Sequence, residues 1–252
     1  MKGTARLYFS IACLLGALFA GAALAGPPFV TDDPEPVDYG HWEVYIASER
    51  AQGTDGVTGT APHMEVNYGA LPELQLHVIA PLAYAGTVGG VWHSGFGDTE
   101  LGLKYRFLDE SDSYPQIGTF PLIEFPTGNE NLGLGGGHTR AFIPVWLQKS
   151  FGPWTTYGGG GYWLNGGGGN QNYWLFGWEV QRLLSSSLAA GIEFFRTTST
   201  TPHGDPAFSF NVGMMLDLSE KHHILLSAGR DLSGPNRFTA YLAFQWTLGP
   251  RH

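Results

Sequence analysis

The chain has 252 residues and a formal net charge of −9; 37 residues are Gly and only 14% are charged, where soluble globular chains carry about 25%. An aromatic content of 14% is too high for a disordered chain, and the glycine content excludes a helical bundle built on Ala, Glu, Lys and Leu. The acidic balance, with no Lys/Arg-rich run, excludes a sequence-independent grip on nucleic-acid phosphates.

The chain opens with an export signal. Lys2 and Arg6 precede an apolar stretch from Ile11 to Leu24, and Ala23-Leu24-Ala25 supplies a small-x-small cleavage site before Gly26. The stretch is shorter than the ~20 residues a membrane helix needs, so residues 1–25 read as a cleaved signal peptide and not as an anchor. Its removal takes away Lys2, Arg6 and no acid, which moves the net charge from −9 to −11. It also takes away Cys13, the sole cysteine, as suits a chain crossing the periplasm without disulfides.

Residues 26–39 are too rich in Pro for a strand and carry Asp32, Asp33, Glu35 and Asp38. This acidic segment is expected on the periplasmic side, able to fold back into a lumen as a plug. Its acids could offer oxygen ligands to a hard cation, but plain solvation explains them as well, and no metal or cofactor is assigned.

From residue 40 the period is two. Thr99, Leu101, Leu103, Tyr105 and Phe107 alternate with Asp98, Glu100, Gly102, Lys104 and Arg106. Such a strand has one apolar and one charged face, and a soluble core could not absorb the charged one cheaply. Similar alternation runs through Trp174–Gln181, Phe208–Asp217 and Phe238–Leu248. Twelve strands are predicted, near 40–50, 63–70, 73–84, 97–108, 116–125, 139–151, 154–165, 172–182, 188–197, 207–218, 222–230 and 237–248. Their connections alternate between long gaps, such as 126–138, and tight ones, such as Gly152-Pro153, with 109–115 as the exception. Outer-membrane barrels have this parity, with short periplasmic turns, long outer loops and an even strand count. The expected fold is all-β: a transmembrane antiparallel up-and-down β-barrel of about twelve strands over residues 40–252.

The two phases of each strand divide the side chains. Trp42, Tyr68, Tyr105, Phe107, Trp174 and Trp246 fall on apolar phases near strand ends, as an interfacial aromatic girdle requires. Glu43, Glu65, Glu100, Lys104, Arg106, Glu124, Glu179, Glu193 and Asp217 fall on polar phases and are the candidate lumen lining. The two bases are expected to neutralise some of these acids and leave an acidic interior. Pro121 and Pro144 each remove a ladder donor, so a bulge or break is expected at both; Gly158–Gly161 leave room for close approach of a neighbouring ring or backbone.

Several segments together resemble a known family. Residues 26–36 ahead of Gly40-His41-Trp42-Glu43, with Glu65–Gly69, Gly97–Phe107, Phe125-Pro126-Thr127-Gly128, Gln148–Gly152 and Gly158–Trp163, are similar to the MetA-pathway of phenol degradation family of outer-membrane transporters. The resemblance covers nearly the whole chain after residue 25. It implies an outer-membrane barrel and a link to aromatic catabolism, and brings no catalytic or ligand residues with it.

No catalytic constellation competes with this reading. His63, His93 and His138 fall in or near the predicted outer loops, where a phospholipase would place its site, but the Ser-Asn-Gly element sought beyond a His is missing. The clusters Gly135–Gly137 and Gly166–Gly169 lack a following Lys-Ser/Thr and are no phosphate loop. His222 and His223 are adjacent on a strand and point to opposite faces. The expected protein is therefore not an enzyme. It is a monomeric barrel in outer-membrane lipid, passing small molecules, with a non-conducting structural or adhesive barrel as the alternative.

Overall fold

The computed structural model describes residues 28–250 apart from 55 and 88; the predicted signal peptide and its cleavage site lie outside these. The strands in chain order are β1 (Trp42–Gln52), β2 (Val57–Leu71), β3 (Leu74–Gly86), β4 (Trp92–Phe96), β5 (Thr99–Leu108), β6 (Gln116–Thr119), β7 (Leu122–Phe125) and β8 (Arg140–Phe151). They continue with β9 (Trp154–Asn165), β10 (Tyr173–Ser185), β11 (Leu188–Thr197), β12 (Ala207–Ser219), β13 (His222–Ser233) and β14 (Phe238–Leu248). β4 and β5 both pair with β3, and β6 and β7 both pair with β5 and β8 in turn, so each couple is one broken stave. Twelve staves result. Every strand pairing is antiparallel, and β1 closes the sheet on β14 from Trp42↔Leu248 to Gln52↔Phe238.

Alternation decides which face is inside. Glu179 is fully buried, at 0%, while its neighbours Trp178 and Val180 are 51% and 38% exposed. The same inversion holds around the wall: Ile46, Leu101, Ile143, Phe176, Val212 and Leu242 face out, and Glu65, Gln75, Lys104, Gln148, Glu193 and Gln245 face in. A continuous apolar belt on a closed barrel would be costly in water, and is the surface that lipid requires. The barrel therefore spans a membrane.

Six turns, at 53–56, 87–91, 126–139, 166–172, 198–206 and 234–237, lie at one end; 72–73, 109–115, 152–153, 186–187 and 220–221 lie at the other with the start of β1 and the end of β14. The predicted parity holds, but the first two of those loops are shorter than expected because β2 and β4 extend into them. β2 begins at Val57 and not at 63, since its register shifts between Thr60 and His63 around Ala61-Pro62 before pairing resumes. A proline inside a strand reads as a stop, whereas a bulge lets the strand continue past it.

The two prolines predicted to disturb strands do so differently. Phe120-Pro121 separates β6 from β7, yet both keep one register against β8. Pro144 sits inside an unbroken β8, and that register sets it opposite Phe120, so its missing donor falls at the existing gap. Thr119 Oγ1 donates to the Pro144 carbonyl at 2.6 Å. The break expected at Pro144 is absent because the neighbouring stave supplies it.

Candidate functional site: the lumen

Residues 28–38 lie inside the barrel. Glu193 on β11 accepts the Val30 and Thr31 backbone N–H groups at 2.9 and 2.8 Å, and its Oε1 also accepts from Asn211 Nδ2 at 2.6 Å. Lys104 on β5 donates to Asp32 Oδ1 at 2.9 Å and to Asp33 Oδ2 at 3.4 Å. Glu35 accepts from Gln116 at 3.2 Å and from Gln148 at 3.0 Å. The Val37 N–H donates to Gln75, and Ser227 donates to the Pro28 carbonyl. Burial pushes the Asp33 carboxyl up to about 8, with the Lys104 ammonium opposing.

Glycines on the inner phase make the seat. A Cβ at Gly213 would strike Phe29, at Gly177 Thr31, at Gly118 Pro34, and at Gly69 the Val37 and Asp38 carbonyls. Any larger residue at these four points would push the segment away from the wall.

Beside the segment the lumen is hollow. A cavity of about 810 Å³ is lined by Glu220 and Thr247 at the short-turn end and by Ala51 and Thr58 toward the other, so it runs most of the barrel's height. Acids outnumber Lys and Arg nine to two in its lining. A second cavity of about 550 Å³ lies under the loop 126–139 and shares Glu49, His63 and Glu100 with the first. That loop folds inward: Leu134 is buried against Ala83 and Ala85 on the inner face of β3. Asp98 holds it there by accepting the Gly128 and Gly136 N–H groups at 2.9 and 2.6 Å.

The nine predicted lining residues all sit on the inner phase of their strands, but they do different things. Glu43, Glu65, Glu100, Lys104 and Asp217 line the larger cavity, and Glu124 lines the smaller one. Glu179 and Glu193 are neighbours across β10 and β11, buried in the opposite wall and away from both cavities. The expectation that Lys104 and Arg106 neutralise the strand acids is corrected. Lys104 is taken by the N-terminal segment, and Arg106 pairs with Glu73 at 2.7 Å and Asp109 at 3.0 Å beside the turns. Glu124 instead pairs with Arg140, a base outside the predicted lining, and Arg140 also lies over the Trp163 ring.

Histidines are the larger omission. His63 was expected near an outer loop; it is buried on β2, 3.7 Å from Glu49 and 4.0 Å from Glu65. His77 has both ring nitrogens against acceptors, Asn67 Oδ1 at 2.6 Å and Glu100 Oε1 at 3.0 Å, an arrangement fully satisfied by the doubly protonated ring. His223 faces in and meets Asp217 at 2.7 Å, while its neighbour His222 faces out against Phe244 and Trp246. The available signal was phase: His63 shares the parity of Glu65 on β2, His223 is paired with Asp217, and His77 is paired with Asn67 and Gly102, which share the parity of Glu65 and Glu100. His93 lies on β4, and His138 in the loop 126–139 faces Asn165 at 3.1 Å, so the three histidines considered for catalysis are dispersed.

The six predicted girdle residues all face outward. Trp42 stacks on Tyr68 at 4.2 Å, Tyr105 neighbours Phe107, Trp174 stacks on Phe176, and Trp246 meets Phe244 edge-on.

This architecture has solved counterparts. An outer membrane channel from Pseudomonas putida F1 superposes with a TM-score of 0.72 at 17% identity, covering 86% of this chain and 98% of that one. The KdgM porin gives 0.58 at 10% identity, covering 83% and 99%, and the NanC porin 0.57 at 10% identity, covering 82% and 100%. At such identities the likeness is one of fold. No curated protein matches the chain in sequence. A family model described as "Putative MetA-pathway of phenol degradation" matches residues 66–248, from β2 to the last residue of β14. The chain belongs to that family.

Proposed function

We propose that the protein is an outer-membrane channel that passes small molecules along the acidic passage beside residues 28–38, with cations favoured over anions. The observation that carries this reading is the continuous cavity along the barrel's height, with its nine-to-two excess of acids over Lys and Arg. A pore lined by one sign of charge favours the opposite ion. Residues 28–38 act as a fixed constriction that narrows the lumen without filling it. One chain closes the barrel on itself through β1 and β14, so a monomer suffices. The short turns and the start of β1 face the periplasm, and a tag in 126–138 is reachable on intact cells while one at Ser185 is not.

Single-channel recording in planar bilayers tests the reading. Current should flow in the full chain, with a reversal potential of cation sign across a salt gradient, and should increase when residues 28–38 are deleted. Absence of current in both forms would leave the non-conducting barrel as the correct description.

A further inference from the structure

We infer that the acidic region shared by the two lumen cavities binds a primary ammonium group carried on a compact apolar or aromatic body; this rests on the channel reading and gives it a substrate class. The position follows from the lining: Glu49, His63 and Glu100, with Thr58, Gly59 and Ile79, line both cavities, so a molecule moving from one to the other travels beside them.

Acids outnumber bases there even with His77 doubly protonated. Glu49, Glu65 and Glu100 surround two histidines at 3.0–4.0 Å, and of the two fixed bases lining the larger cavity, Arg50 and Lys104, the latter is already held by Asp32 and Asp33. Unpartnered polar atoms line the same space. His63 is 6% exposed and its Nε2 has no hydrogen-bond partner among the described residues, although it lines both cavities. In the tautomer that protonates Nδ1, which faces Thr60 Oγ1 at 3.2 Å, Nε2 presents a free lone pair. The Tyr241 hydroxyl, in the same cavity, is likewise buried without a partner. Carboxylates with unfilled acceptors around them suit a cation with several N–H donors, and a primary ammonium has three.

Two further observations choose an organic cation over a metal ion. Among the described residues no group of three His, Cys, Asp or Glu is placed to hold a metal. The walls next to the acids are apolar: Ile79, Phe120, Leu122 and Phe29 line the larger cavity with the rings of Tyr45 and Tyr241. Such walls desolvate an alkyl or aryl body, and tyrosine faces attract an ammonium. The volume of about 810 Å³ falls within the range of small-molecule sites.

The test uses the full chain in planar bilayers carrying potassium current, with phenethylammonium as probe and phenylacetate and 2-phenylethanol as anionic and neutral analogues. Phenethylammonium should reduce the current reversibly, and neither analogue should do so at equal concentration. The Glu65→Gln/Glu100→Gln pair should weaken that block by at least about tenfold. His63→Phe should weaken it less, and Glu110→Gln, at an outlying turn, should leave it unchanged. Equal block by all three compounds, or undiminished block in the double variant, would overturn the site while the channel reading stands. Should no ion conduct, the channel reading fails separately, and titration calorimetry of phenethylammonium into the detergent-solubilised barrel decides the site: binding lost in the double variant supports it, and no binding in the parent overturns it. Cold and boiled gel mobility verifies that each variant is a folded barrel.

Discussion

The two sides of the lumen are built on opposite principles. On the β6–β10 side the inner phase is packed with rings: Phe142, Trp146, Leu175 and Phe120 form a buried cluster with Trp163 and Leu122, of which Phe120 and Leu122 border the cavity, and Trp146 is 1% exposed. On the side formed by β1–β3 and β12–β14 the inner phase carries Glu43, Glu65, His63, His77 and His223 and encloses the cavity. The packed side is possible because β9 has no side chains where the rings lie. Gly159 backs onto Trp146, and Gly161 onto Phe142, on the inside, while Gly158 and Gly160 lie beneath Trp178 and Phe176 outside. Large rings against glycine leave no room for water; carboxylates and imidazoles demand it. A barrel of intermediate size thus closes one half of its bore and keeps the other wet.

The largest effect expected from this contrast is on the packed side. Trp146→Ala should cost about 3–5 kcal/mol, whereas Tyr241→Phe on the hollow side, which removes an unpartnered hydroxyl, should change stability by less than about 0.5 kcal/mol. Denaturant unfolding in detergent, followed by tryptophan fluorescence, compares them; equal losses would erase the distinction.

Next comes the anchor between the two sides. Lys104→Met leaves Asp33 buried and unpaired, while Asp32, with a side chain 22% exposed, keeps some water. Because the Asp33 carboxyl can stay protonated, the penalty on seating the segment should be about 1–3 kcal/mol, that of a buried group losing its hydrogen-bond partner. Conductance should rise toward that of the chain lacking residues 28–38, and an unchanged current would show that the segment does not constrict the passage.

A smaller effect follows pH. Burial raises the folded-state value of Asp33 above its unfolded one, to about 8, with Asp32 and Glu35 adding to the rise and Lys104 on β5 opposing it; Tyr157 on β9 feels the same charge. Its contribution to seating is therefore complete below about pH 4 and lost as the pH rises through about 8. Current should increase between about pH 4 and 8 in the parent and remain flat in Asp33→Asn. A parent that does not respond would remove Asp33 from the seat.

The smallest expected effect is on selectivity. Glu100 is shared with His77, and Glu124 is neutralised by Arg140, so Glu100→Gln with Glu124→Gln should lower cation preference only slightly, less so in high salt. Reversal potentials measure it, and an unchanged or increased preference would place the selective charges elsewhere on the hollow side.

Much of this molecule was readable along the chain because a barrel in lipid imposes a local rule. Each strand must turn an apolar phase outward and satisfy its backbone sideways, so period two and loop parity were enough to give the strand number, the closure and the outward girdle from Trp42 to Trp246. The phase of Glu179 or Lys104 needed no partner to be known. Even the glycines of β9 announced that something would lie against them.

What lay against them was decided by register. Only the pairing of β8 with β9 puts Trp146 over Gly159 and Phe142 near Gly161, and only the barrel's closure brings Gly69, Gly118, Gly177 and Gly213 around one proline-rich segment. Alternation says that Lys104 faces in but not that Asp32 and Asp33, some seventy residues earlier, will meet it before any strand acid does. It could not show that Pro62 is bulged past or that Pro144 spends its missing donor on a neighbour's gap. Inside and outside are properties of one strand and its solvent, and the sequence carries them; which charges cancel, and where the bore stays open, depends on staves far apart in sequence, and exists only once the barrel has closed.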